Sequence, residues 1–388
     1  MSTEPPTRAH AAHPVSRRAP TPPDPVDDGR LEVLPTGRPA LGWVAAVVAV
    51  VLLAEVLARV AVAEAPPEIR WYDAGAQRAV AAMDRRGAAG DDVDVVFAGT
   101  SAAAQAFVPA AFTAADPAGR SALNVGLAGA VPTVTGPWLV DEVQERLGPD
   151  LVVWGLTPLD LAPAYGADQL DAYRSAVETR SGWLASLDRA VGRTSELVRS
   201  RRILRDPASV VGGAADERAA ELAALDATTG PDGERIDFTV DTSPVRAAVQ
   251  RARLADFAID PADTAAIVDA IEASHAAGVE VVLVELPSPD RLRAQLPGGD
   301  RDAALATAAI SELGERAAVD VISMPRALGG SDFVDFTHVD APAAARVSTW
   351  IAELLARRAE VPVGRCTDPR LVDRWGFAVG VEVCRNSP

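Results

Sequence analysis

Ser101 ends an apolar run, Val95-Val96-Phe97-Ala98-Gly99-Thr100, and is followed by Ala102-Ala103-Ala104, a good helix start. A hydroxyl at a strand's C-terminal end and a helix N-terminus lies where free N–H groups and the helix dipole favour developing negative charge. That position suits a serine nucleophile in acyl transfer, and it equally suits a plain N-cap. A serine nucleophile needs a base, and histidine titrates in the useful range. The chain has four histidines. His10 and His13 lie in a polar, Pro-rich tail, and His275 lies in a helical pattern that stops at Gly278. His338 alone follows the last expected strand, in Asp332-Phe333-Val334-Asp335-Phe336-Thr337-His338. Asp335, three residues earlier, is spaced to accept the imidazole Nδ1–H and so fix the tautomer whose Nε2 takes a proton. An acidic capping loop with an incidental histidine is the plainer reading of the same residues. A third segment, Leu123-Asn124-Val125-Gly126-Leu127-Ala128-Gly129-Ala130-Val131-Pro132, puts two glycines just past a strand. Glycine permits close backbone approach there, so the Gly129 N–H, with that of Ser101, is a candidate oxyanion donor.

These segments work together only if a common scaffold carries them to one place. Short Val-rich runs at 93–98, 122–125, 151–156, 279–286 and 319–323 read as strands covered on both faces. Helical patterns lie between them, with Gly148 and Gly278 as helix stops, Gly148 closing a helix over 137–147. The alternation predicts an α/β fold with a doubly wound parallel sheet of five strands. Ligands in such sheets bind beyond the strand C-terminal ends, where all three segments above are expected. Between residues 160 and 254 the β pattern gives way to a charged helical insertion with Arg180, Arg189, Arg193, Arg199, Arg201, Arg202 and Arg205. A lid beside the site and a solvated excursion without a role both fit it.

Taken together, the three blocks resemble the SGNH, or GDSL-like, hydrolase superfamily. Ala98-Gly99-Thr100-Ser101 is similar to its nucleophile block, with Thr in place of the more usual Asp. Asn124-Val125-Gly126-Leu127-Ala128-Gly129 is similar to its glycine block, and Asp335-Phe336-Thr337-His338 to its terminal D-x-x-H. The resemblance spans about residues 93–356. It implies a three-layer flavodoxin-like fold, with Ser101 as nucleophile, His338 as base, Asp335 as its orienter and Gly129 as an oxyanion donor. The chain departs from the family at the third block, where an asparagine usually completes the oxyanion hole. Asparagine occurs only at Asn124 and Asn386, and the corresponding segment is Trp154-Gly155-Leu156-Thr157-Pro158-Leu159-Asp160. Thr157 is the available substitute. Loss of one such donor typically costs about 2.7–4 kcal/mol of transition-state stabilisation.

The rest of the sequence bears on location. Residues 1–38 are rich in Pro, Ala, Arg and Asp and read as a disordered tail. Residues 40–63 are apolar, uncharged until Glu55 and Arg59, and long enough to cross a bilayer as a helix. Glu55 and Arg59 lie one turn apart and are placed to pair. Arg38 before the segment and Glu64, Glu68 and Asp73 after it put the N-terminus in the cytoplasm and the body outside. A cleaved leader, with Ala61-Val62-Ala63 resembling its cleavage site, also exports the body. The expected organisation is thus a cytoplasmic tail, a transmembrane helix, an α/β domain over 70–358, and an extension over 359–388. Cys366 and Cys384 lie in that extension, where an oxidising compartment favours a disulfide.

A net charge of −17 and the absence of a basic stripe argue against nucleic acid as a partner. No HExxH or cysteine cluster holds a metal. All basic residues other than histidine are arginine, so the phosphate loop that requires lysine is excluded; no cofactor is expected. The membrane-anchored layout resembles the branch of the superfamily that serves cell-surface polysaccharide and teichoic-acid acylation. That resemblance implies a serine esterase or O-acyltransferase for acyl esters of cell-envelope carbohydrate. A non-catalytic member of the same fold, binding or scaffolding envelope polymers, is the alternative.

Overall fold

In the computed structural model, the apolar runs are strands and nearly every residue in them is buried. The structure describes residues 38–64, 74–162, 227–236, 241–361, 363–366 and 381–386, with single residues or pairs at 191, 195, 197, 220, 223–224 and 239. Residues 1–53 form one unit and 54–388 another. The expected tail, and most of the 160–254 insertion with its seven arginines, lie outside the described residues.

The first helix, α1 (Arg38–Glu64), covers the apolar segment. Its stretch Gly42–Val60 is long and apolar enough to span a membrane. Within it Arg59 Nε donates to Glu55 Oε1 at 2.8 Å, the one-turn pairing expected from the spacing.

The α/β body follows the chain order α2 (Ala74–Ala89), β1 (Val95–Gly99), α3 (Ser101–Ala106), α4 (Pro109–Ala115), β2 (Ala122–Asn124), α5 (Pro132–Trp138), α6 (Gln144–Leu147) and β3 (Leu151–Leu156). After the insertion come α7 (Pro244–Arg253), α8 (Pro261–Ala276), β4 (Glu280–Glu285), α9 (Asp290–Arg293), α10 (Asp300–Ala317), β5 (Asp320–Ser323) and α11 (Ala341–Arg357). Two short strands, β6 (Arg365–Cys366) and β7 (Glu382–Arg385), close the sequence of elements.

The sheet has seven strands in the order β2-β1-β3-β4-β5-β7-β6, not the expected five. Strands β1 to β5 are mutually parallel, and β7 and β6 add antiparallel strands at the β5 edge. The sheet is therefore mixed. The extra strands come from the C-terminal extension, where Cys366 stands opposite Cys384 and is bonded to it.

Alternation along the strands sorts the core into two layers. Val96, Ala98, Val152, Trp154, Val281, Leu283 and Val321 face helices α2, α5, α8 and α10. Val95, Phe97, Leu151, Val153, Val282, Val284 and Ile322 face α3, α4 and α11. Gly148 ends α6 in the left-handed conformation, and Gly278 follows α8 at φ 81°. The expected helix over 137–147 begins earlier, at Pro132, which needs no partner for an N–H at a first turn. Pro137 then interrupts the ladder, and a π-turn at Leu139–Val143 carries the chain on to α6.

Candidate active site

The β1–α3 turn is held where side chains larger than hydrogen do not fit. Gly99 has φ 135°, and a Cβ on it would lie 2.5 Å from the Gly155 carbonyl oxygen and 2.6 Å from Ala103 Cβ. Gly99 and Gly155 are register partners at the ends of the paired strands β1 and β3, and the turn that follows places Thr100 and Ser101 beyond the sheet's C-terminal edge. Thr100 is the N-cap residue of α3, although its side chain makes no capping bond. Ser101, partly exposed, is the first helical residue.

Asn124, at the end of β2, fixes the other side of α3. Its amide donates to the carbonyls of Ala103, Ala104 and Phe107 at 3.2, 3.2 and 2.7 Å, and its oxygen accepts Gly126 N–H at 3.0 Å. A carboxylate could not donate these bonds, so the amide is required here. Gly126 lies against Ala104; a Cβ there would come within 2.9 Å of the Ala104 nitrogen. Gly129 has φ 77° in the turn that follows and is partly exposed.

The loop between β5 and α11 folds back over the same edge. His338 Nε2 lies 2.8 Å from Ser101 Oγ, and His338 Nδ1 lies 2.8 Å from Asp335 Oδ2. The other carboxylate oxygen, Asp335 Oδ1, accepts the backbone N–H groups of Thr337 and His338, both at 2.7 Å. Burial by itself raises the Asp335 pKa. The hydrogen bond and charge of His338 and the two backbone donors outweigh it and hold the carboxyl at about 2. Asp335 is thus ionised at any working pH. With Asp335 accepting at Nδ1–H, the imidazole presents an unprotonated Nε2 to the serine hydroxyl, a tautomer assigned from the hydrogen bonding. His275 is exposed on α8, away from this constellation.

Two contacts steady the loop. Gln105 Nε2 donates to the Val339 carbonyl at 2.8 Å, tying the serine's helix to the histidine's loop. The Arg291 guanidinium of α9 donates to the carbonyls of Asp335, Phe333 and Gly330 at 2.7, 2.7 and 3.2 Å. A planar fork can hold three carbonyls in this way, whereas an ammonium cannot match its geometry. We expect Arg291→Ala and Arg291→Lys each to lower kcat about 10- to 100-fold with KM little changed, since loosening this loop misplaces the imidazole. Steady-state kinetics on the full chain checks this; full activity in Arg291→Ala would show that the loop holds itself.

Thr157 is used differently from the expectation that it donates to an oxyanion. It is buried, and its hydroxyl donates to Asp160 Oδ2 at 2.8 Å while its N–H donates to the same oxygen at 2.6 Å. With an ionised Asp160 the single hydroxyl hydrogen is committed to that carboxylate. A Thr-x-x-Asp capping box is legible in the sequence, whereas the Arg291 clamp is not, because nothing local marks a contact with a loop about forty residues away.

Elsewhere at the sheet's C-terminal edge, a cavity of about 320 Å³ is lined by residues including Pro158, Glu285, Ser288, Leu292 and Thr307. Neither Ser101 nor His338 lines it.

Burial also sets the pH response of the fold. It pushes Asp160 from 3.8 up to about 6, against the two hydrogen bonds from Thr157. It pushes Asp263 up to about 6 and raises Glu142, Glu234 and Glu285. For a raised acid, the stability contributed is complete below the unfolded pKa and is lost as pH rises through the folded one. Asp335 has the opposite sign: its contribution is present above 3.8 and is lost as pH falls toward about 2. The melting temperature of the full chain should therefore peak near about pH 4 and fall by several degrees as pH rises to about 6.5, these groups adding little further change above that. A melting temperature still climbing above about pH 6 would contradict these shifts.

No family model matches the chain, and no curated protein matches it. Among solved structures it is similar to Est24, a carbohydrate acetylesterase from Sinorhizobium meliloti, at 12% identity and a TM-score of 0.34. The match covers 69% of this chain and 100% of that one. A likeness of that degree does not determine the chemistry of this chain.

Proposed function

We propose that the chain is a membrane-anchored serine esterase or O-acyltransferase of the SGNH type, acting on acyl esters of cell-envelope carbohydrate outside the cytoplasm. The observation that carries this reading is the unbroken run of hydrogen bonds Ser101–His338–Asp335, each 2.8 Å long.

In this reading Ser101 Oγ attacks the ester carbonyl as His338 Nε2 takes its proton, forming a tetrahedral oxyanion. Asp335 stabilises the imidazolium without taking the proton. The N–H groups of Ser101 and Gly129 hold the oxyanion, without a side-chain amide from the third block. Collapse breaks the ester C–O bond, and His338 returns the proton to the departing alcohol, leaving an acyl-serine. Water or an acceptor hydroxyl, deprotonated in turn by His338, then attacks the acyl-serine. Water completes hydrolysis, and a sugar hydroxyl completes transfer.

The location rests on the apolar span Gly42–Val60 and on the disulfide, which persists in an oxidising compartment. The basic residue before the span and the acidic ones after it favour a cytoplasmic N-terminus. The carbohydrate substrate rests on the family resemblance of the sequence blocks.

The commitment of Thr157 to Asp160 favours one second reading, a body that binds envelope polymer without turnover. Release of acetate from p-nitrophenyl acetate and from an O-acetylated polysaccharide by the full chain in detergent separates the two. Turnover of both substrates supports the esterase. Polysaccharide binding without acetate release from either substrate would establish the binding reading instead.

A further inference from the structure

The insertion between β3 and α7 is bonded to two parts of the chain that the proposed mechanism does not connect, the apolar helix and the catalytic blocks. In α1 the Glu55 carboxylate accepts Arg59 Nε on Oε1. On Oε2 it accepts the Ser195 hydroxyl at 2.7 Å and the Leu197 N–H at 3.1 Å. All four residues belong to the unit 54–388. Ala58 is 2% exposed, whereas Val56, Leu57 and Val60 around it are each more than half exposed. One face of the last turns of the span is therefore covered by the body.

Glu55 lies inside the apolar stretch Gly42–Val60. It cannot be moved out of the bilayer without leaving the helix too short. From Pro39, just after Arg38, to Ala54 the helix measures about 24 Å, against a hydrocarbon core of about 30 Å. With Val60 at the outer end, Glu55 and its two partners from the insertion sit about 7–8 Å inside it. A carboxylate at that depth needs a counter-charge and donors. Arg59 supplies the charge, and its side chain, 59% exposed and one turn nearer the outer end, can reach the headgroups. Ser195 and Leu197 supply the donors.

Further along, the same insertion is bonded to the elements that carry all three sequence blocks. The Asp232 carbonyl accepts the Asn124 N–H at 2.8 Å, and the Arg235 N–H donates to the Ala104 carbonyl of the serine's helix at 2.8 Å. The Asp241 N–H donates to the Val334 carbonyl in the histidine loop at 3.2 Å. Helix α7 follows at once. It carries Arg246, Arg251 and Arg253 and no acid, in a chain of net charge −17. Val245 and Val249, one turn apart on it, are 74% and 43% exposed. Exposed apolar residues flanked by arginines make a surface suited to an anionic headgroup layer.

We propose that the insertion and α7 form a membrane-docking element whose partner is the surface of an anionic bilayer, and that the ester attacked by Ser101 is carried by a lipid-linked molecule in that bilayer. The substrate half of this inference rests on the serine-esterase reading given above and deepens it; the docking half does not need it. The insertion is held at one point by Glu55 within the apolar layer and at others by the serine's helix and the histidine loop. It thereby brings the catalytic edge to the headgroups, where a substrate with a lipid tail is concentrated and a polymer free in water is not. The chemistry is the one already written: the acyl group passes to Ser101 Oγ, and the alcohol that leaves with the proton from His338 stays on its lipid.

The test uses the full chain in vesicles of phosphatidylcholine and phosphatidylglycerol. Acetate release is measured from per-O-acetylated dodecyl glucoside, which enters the bilayer, and from per-O-acetylated methyl glucoside, which does not. Glu55→Ala, and separately the double variant Val245→Glu, Val249→Glu, should each lower kcat/KM for the dodecyl ester about tenfold and leave the methyl ester within about twofold. The two valines are exposed, so the double variant serves if Glu55→Ala does not fold. Docking is read without turnover from a bimane label on Val191→Cys, whose backbone carbonyl accepts the Ser195 N–H. Cys366 and Cys384 are bonded to each other and do not take the label. Quenching of the label by lipids brominated on their acyl chains, lost in Glu55→Ala, supports the dock. A label that is not quenched in the otherwise native chain overturns it. Equal effects of the variants on the two esters, or none on either, overturn the substrate assignment. Quenching without serine-dependent acetate release from either ester supports the dock, while the esterase reading fails and the substrate assignment fails with it.

Discussion

Ser101→Ala is expected to lower kcat for ester hydrolysis by about 10⁴-fold or more while leaving the fold intact. The reason is chemical: without Oγ no acyl-serine forms, and His338 has no hydroxyl to deprotonate. The structural cost is small. Thr100, not Ser101, occupies the N-cap position of α3, and alanine is a better helix residue than serine. The substitution removes the 2.8 Å hydrogen bond between the serine hydroxyl and His338 Nε2. Activity and melting temperature should therefore separate, with activity near background and the melting temperature within a few degrees of wild type. Equal hydrolysis rates in the two proteins would remove Ser101 from the chemistry.

Asp335→Asn is expected to lower kcat by about 10⁴-fold with KM little changed. The asparagine is nearly isosteric, and its oxygen can still accept the N–H groups of Thr337 and His338 that shape the loop. Its amide, however, donates to His338 Nδ1. The imidazole then carries its hydrogen on Nε2, where it points at Ser101 Oγ and cannot accept that group's proton. The loss comes from the wrong tautomer and from the missing charge opposite the imidazolium. Because the native carboxyl is held at about 2, an acidic loss of activity above about pH 4 does not arise from protonation of Asp335. A variant that kept a tenth or more of wild-type kcat would mean that His338 is oriented by something else.

The parallel part of the sheet was legible because its strands are buried on both faces, which leaves uninterrupted apolar runs such as Leu151–Leu156. The antiparallel edge was not. β6 has two residues and β7 has four, with Glu382 and Arg385 at its ends, so neither makes an apolar run. Their pairing is long-range, set by a crossover from the extension and by Cys366 facing Cys384. The same contrast holds at the site. Ser101, His338 and Asp335 could be singled out because each follows a strand and because the chain has four histidines in all. The partner of Thr157 was not legible, because the sequence shows a hydroxyl but not the carboxylate that takes its hydrogen. Arg291 and Asn124 act on backbone carbonyls brought close only by folding, and such acceptors leave no residue-type signature.

The account depends on a serine made nucleophilic by His338, and covalent labelling reads that property directly. The full chain is treated with a fluorophosphonate probe and digested, and the modified peptide is identified by mass spectrometry. The account predicts labelling at Ser101 that is abolished by His338→Ala and by heat denaturation. No labelling at Ser101 in a protein that hydrolyses esters, or equal labelling without His338, would contradict it.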